Sequence, residues 1–118
     1  MKRVVVLDQD PDVERVASQL RDTHDVQVNI AHDKREAVEQ INRGDVALVV
    51  INIETPHHSG QKLLAWMEKR HIQTPVIIGV DAGDSSRLLG DFPDVVKIFE
   101  PKPIPVGALA DMVTLYAE

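Results

Sequence analysis

Short apolar runs rich in β-branched residues alternate with amphipathic helical stripes along the whole chain, and that alternation leaves few folds open. Val4–Leu7 is apolar at every position, as a strand buried on both faces requires. Asp10 then reads as an N-cap and Pro11 as the first helical residue. An N-cap oxygen accepts an otherwise unpaired amide, and proline has no amide to leave unpaired. Val13, Val16, Ala17 and Leu20 follow at the spacing of one helical face. Val26, Val28 and Ile30 alternate and predict a second strand. Asp33 with Glu36 resembles a capping box, Ala37, Val38 and Ile41 form the next helical face, and Gly44 stands where a helix should stop.

Val46–Ile53 is the most hydrophobic segment and is expected to be the central strand. A polar loop is expected over Glu54–Gly60, then a third helix marked by Leu63, Leu64 and Met67 and running to about His71. Pro75 opens a fourth strand, Val76–Val80. Asp81–Gly90 sets glycines and serines around one apolar pair, Leu88-Leu89, so a helix there would be short and weak. Val95–Phe99 is the fifth predicted strand, and Glu100–Pro105, with its prolines, a constrained loop. Val106, Leu109, Met112, Val113 and Tyr116 form a final amphipathic helix. Strands alternating with helices imply a parallel sheet covered on both faces, joined by right-handed crossovers. The expected fold is an α/β three-layer sandwich of flavodoxin-like (βα)5 type, its sheet ordered 2-1-3-4-5. In that order the switch point lies between strands 1 and 3, and ligands bind at the carboxyl ends of the strands. A functional pocket is therefore expected at Asp8–Asp10 and Asn52–Pro56.

The 118 residues fit one domain, 1–118, either alone or as the N-terminal domain of a longer protein. The absence of cysteine excludes disulfides and thiolate chemistry. Thirteen Lys and Arg against 19 Asp and Glu give a net charge of −6, which argues against direct nucleic-acid binding. No apolar run approaches the roughly 18 residues of a membrane span, and the N-terminus lacks the features of a signal peptide. The expected location is the cytoplasm.

Val6-Leu7-Asp8-Gln9-Asp10-Pro11 closes the first strand, Asn52-Ile53-Glu54-Thr55-Pro56 with Gly60 follows the third, and Lys102-Pro103 follows the fifth. These motifs, in order across the whole chain, resemble the strand ends of response-regulator receiver domains of two-component signalling, the CheY-like superfamily. The resemblance implies a role for each position. A carboxylate ending strand 3 attacks a phosphoryl group, acidic residues after strand 1 hold Mg²⁺, and a Ser or Thr after strand 4 and the Lys after strand 5 grip the phosphoryl oxygens. The chemistry needs anionic oxygens for a hard cation and positive charge around the transferring group.

At the decisive positions this chain departs from the pattern. Asn52 stands at the phospho-acceptor position, and a carboxamide is a poor nucleophile without an anionic oxygen. Asp8 matches the first acidic residue and Gln9 the second, the direct metal ligand in the family. Asp10 reads as a helix cap, or as the ligand if the alignment slips by one residue. Val80 replaces the hydroxyl residue, Thr55 the usual Met, and Phe99 occupies the aromatic switch position. Lys102 is kept, and Pro103 after it is the position of the family's cis-proline. Lys102 is expected to pair with Asp8 or hydrogen-bond to Asn52 in place of a metal. Glu54 is the only carboxylate between Val46 and Gly60, but it lies beyond the strand end.

The implied function is a pseudo-receiver: an atypical receiver domain not phosphorylated on aspartate, not an enzyme, with no cofactor and Mg²⁺ binding weak or absent. It would act on a protein partner, a fused output domain or a second copy of itself. The contact face would be the fourth helix, the fifth strand and the last helix. Two other readings stay open: a flavodoxin-like domain reusing the vestigial pocket for a small ligand, and a receiver with unusual acceptor chemistry. No P-loop or Gly-rich dinucleotide fingerprint is present. His57-His58 reads as solvent-exposed rather than a metal site, and Trp66 either flanks the core or sits on a contact surface.

Overall fold

The computed structural model describes residues 2–8, 13–23, 26–52, 59–80, 90–101, 104 and 106–117, with backbone alone at 13, 16, 23, 52, 101 and 106. Its strands are β1 (Arg3–Leu7), β2 (Gln27–Ala31), β3 (Val46–Asn52), β4 (Val76–Val80) and β5 (Lys97–Pro101). All pair in parallel, in the order β2-β1-β3-β4-β5. Among the described residues the full helices are α1 (Val13–Thr23), α2 (Lys34–Asn42), α3 (Ser59–Lys69) and α4 (Val106–Tyr116). This is the flavodoxin-like sandwich expected from the alternating pattern.

The strands read as continuous apolar runs because each face of the sheet carries its own core. On one face Val5, Leu7, Val49, Ile51 and Ile78 pack with Ala37 of α2 and Leu63, Leu64 and Met67 of α3. On the other, Val4, Val6, Leu48, Val50 and Ile77 pack with Ala17 and Leu20 of α1 and Leu109 and Val113 of α4. Successive residues of a strand point to opposite faces, so both parities must be apolar. Trp66 is half-buried against the α2–α3 core, with the Arg70 guanidinium 5.7 Å from its ring centre. It therefore flanks the core.

Helix ends follow local chemistry. Asp33 caps α2 by accepting the Glu36 amide at 2.9 Å. Glu36 reaches one residue beyond the expected capping box and accepts the His32 amide at 2.7 Å. Gly44, at φ +88°, lies where the turn after α2 needs a left-handed residue. α3 ends at Lys69, two residues short of His71, because His71 itself turns left-handed at φ 55°. There Ile72 N–H donates to Met67 and His71 N–H to Glu68, the paired bonds of a Schellman turn.

Two boundaries depart from the sequence reading. α3 begins at Ser59, inside the expected loop, with Ser59 and Gly60 buried. Packing of that first turn, more than its intrinsic propensity, sets the start. β5 runs Lys97–Pro101 rather than Val95–Phe99, so Glu100 and Pro101 belong to the strand and not to the loop. Val95 is buried through core packing ahead of the strand. Pro101 is tolerated because β5 is an edge strand, where a missing amide need not break a ladder.

Lys97 anchors the approach to that edge. Its ammonium donates to the carbonyls of Phe92 and, at 2.9 Å, Val95. Desolvation lowers its pKa below 10.5, against the opposing pull of Glu68 and Asp94. The folded protein thus releases this proton at lower pH than the unfolded chain. Between the lowered value and 10.5 the unfolded state binds more protons, so this contribution to stability rises with pH. Urea melts of the wild type and Lys97→Met should show their stability difference shifting toward the wild type as pH climbs to 10.5. A shift toward the variant would contradict this.

Candidate functional site at the strand ends

The carboxyl ends of β1, β3 and β4 bring the expected site together along one rim of the sheet. Leu7 pairs with Ile51, so Asp8, the next residue, stands level with Asn52. Asn52 is the last residue of β3 and pairs with Gly79 of β4. Val80 ends β4 beside Pro101 of β5. Neighbouring strands lie about 4.8 Å apart, so Asp8 and Asn52, on the adjacent strands β1 and β3, fall within one side-chain reach of each other, and Val80 lies one strand further along.

The rim is built by backbone pairing. Asp8 N–H donates to Ala31 O at 3.1 Å, which carries the β1–β2 ladder one residue past the strand and fixes where Asp8 leaves the sheet. Asp8 is half-buried. Val80 is 6% exposed and belongs to the α2–α3 core, where it presents only methyl groups. Phe99 lies at the middle of β5, paired with Ile78 and half-buried against the same core. Gln9, Asp10, Glu54, Thr55, His57, His58, Lys102 and Pro103 lie outside the described residues, as do Pro11, expected as the first helical residue, and most of Asp81–Gly90.

Chemically, the described ends of β1, β3 and β4 offer one carboxylate, Asp8, beside the backbone of Asn52, with the apolar Val80 across β4, while Glu100 of β5 stands level with Gly79 one strand further out. Two polar clusters went unnoticed in the sequence. Arg3 at the opposite end of β1 and Lys97 at the start of β5 each fold back onto main-chain carbonyls. No spacing signal marks a cation that will do this, because its acceptors are brought close only by the tertiary fold.

The profile of the response regulator receiver domain matches residues 4–112. Among solved structures, the receiver domain of the Francisella response regulator 1452 aligns at TM-score 0.80 and 23% identity, covering 98% of this chain and 95% of that one. The chemotaxis response regulator CheY4 of Vibrio cholerae aligns at TM-score 0.76 and 16% identity, covering 98% of each chain. A streptococcal redox sensor, of a family evolved from two-component response regulators, aligns at TM-score 0.76 and 14% identity over 98% of this chain and 50% of its own. Comparison with curated protein sequences finds no match. No helix among the described residues is long and apolar enough to cross a membrane.

Proposed function

The chain belongs to the response regulator receiver domain family, and on that premise we propose that it is a pseudo-receiver, a signalling domain that does not take up phosphate on aspartate and works through protein contacts. Receiver domains in general are non-enzymatic signalling modules that engage other proteins or fused output domains. The observation that carries the proposal is the end of β3. The strand stops on Asn52, level with Asp8, and no residue of Val46–Asn52 is acidic.

The metal site points the same way. Mg²⁺ takes hard oxygen ligands and sheds its water reluctantly. Asp8, Gln9 and Asn52 supply one anionic oxygen donor among them, where the family uses several. This donor set does not fit a tightly held divalent cation. Val80 adds no hydroxyl for a phosphoryl oxygen.

Without phosphate to shift its population between two packings, the domain acts through constitutive contacts. The face proposed for them is the 81–90 segment, β5 and α4, where Val96 (40% exposed) and Leu115 (66% exposed) offer apolar surface. The partner is another domain of the same protein, a second copy or a separate signalling protein.

Beryllofluoride, a phosphoryl mimic, tests the proposal. With Mg²⁺ present, amide NMR shifts around Asp8, Asn52 and β5 are expected to stay in place at millimolar reagent. Saturable shifts centred on that rim would overturn it.

A further inference from the structure

At the opposite end of the sheet, a polar pocket of about 220 Å³ lies where β1 and β2 begin and α2 ends. Arg3, Gln27, Asn29, Gln40, Arg43 and Asp45 line it. The Arg3 guanidinium donates to Asn29 Oδ1 at 3.1 Å and to Gln40 Oε1 at 2.5 Å. It also donates to the main-chain oxygens of Gln40 at 2.9 Å and Gly44 at 2.8 Å.

A guanidinium only donates, so both amides must turn their oxygens toward it and their NH₂ groups away. Arg3 therefore consumes four acceptors at this spot. The groups left to meet an entering molecule include three donors, the amide nitrogens of Asn29 and Gln40 and the Arg43 guanidinium, and the Gln27 carboxamide, which can turn its NH₂ inward. Asp45 is the one carboxylate in the lining, and it is exposed. In a chain of net charge −6, this is a local excess of donors and positive charge.

We propose that this pocket binds a small oxyanion, a phosphate or carboxylate group. The Arg3 network pre-orients the amide donors, and Arg43 supplies charge. The chemistry does not favour a cation, which would meet two guanidinium groups. It does not favour an apolar ligand, since the lining offers no hydrophobic side chain. The pocket lies at the amino ends of the strands and the family's phosphoryl site at their carboxyl ends, so the two are separate.

Titration of the intact protein with inorganic phosphate, and in parallel with acetate, at ionic strength held constant with chloride, tests this by amide NMR. Saturable millimolar shifts are expected at the side-chain amides of Asn29 and Gln40 and at Gly44. Arg43→Glu, an exposed change that leaves the Arg3 network intact, should weaken binding about fivefold or more. Lys102→Ala should leave it unchanged. Response to both anions assigns a general oxyanion site, and response to phosphate alone a dianion site. Shifts that never saturate, that ignore Arg43→Glu, or that vanish in Lys102→Ala would overturn the proposal.

Discussion

Replacing Gln9 and Asn52 together by aspartate is expected to make the strand-end rim a Mg²⁺-dependent phosphoryl acceptor. Asp8 already stands level with Asn52 at the strand ends. The double change would add two carboxylates, one at each position that the resemblance assigns to the metal ligand and the acceptor. Carboxylates crowded at one rim repel one another and raise each other's pKa. In metal-free buffer the double variant should therefore be less stable than the wild type, by about 1 kcal/mol or more. Mg²⁺ should reverse the loss, because a ligand at one hundred times its Kd adds about 2.7 kcal/mol to the folded state. The wild type should show no Mg²⁺-dependent gain in Tm. Asn52→Asp alone should take up phosphate far more slowly than the double variant, since it restores the nucleophile without the second metal ligand. Thermal melts with and without Mg²⁺, and intact mass after acetyl phosphate, read both effects. Equal Mg²⁺ responses in wild type and double variant would contradict the assignment of these positions.

Truncating either face of β3 should cost far more than truncating the edge strand β2. Leu48 and Ile51 are fully buried in opposite cores, and β3 is flanked by strands on both sides. Leu48→Ala and Ile51→Ala should each destabilise by about 2–5 kcal/mol, through lost apolar burial and the cavity left behind. Gln27 is exposed on β2, at the sheet edge, and Gln27→Ala should change stability by about 0.5 kcal/mol or less. Urea unfolding monitored by circular dichroism gives all three values. Comparable losses at Leu48 and Gln27 would contradict the layered burial.

The fold was legible because the apolar pattern carries its physics at two periods. Val4–Leu7, Val46–Ile51 and Val76–Val80 are apolar on consecutive positions because both faces of the sheet are covered. Ala17 with Leu20, and Leu63 with Met67, mark helices that cover one face each. Boundaries were harder where tertiary packing overrides local chemistry. Ser59 and Gly60 read as loop residues yet begin α3, since small side chains let that turn approach the core. Pro101 reads as a breaker yet ends β5, since edge strands accept a missing amide. At the candidate site, the order of motifs placed Asp8, Asn52 and Val80 on adjacent strand ends, as the pairing of β1, β3 and β4 requires. The Arg3 network was illegible, because its acceptors come from residues 26 to 41 positions away.

No group in this chain is expected to accept a phosphoryl group from a small-molecule donor. The most direct measurement is the intact mass of the unaltered protein after incubation with acetyl phosphate and Mg²⁺. The predicted result is an unchanged mass. A gain of one phosphoryl group mapped to any carboxylate, Asp8 and Glu54 included, would contradict it.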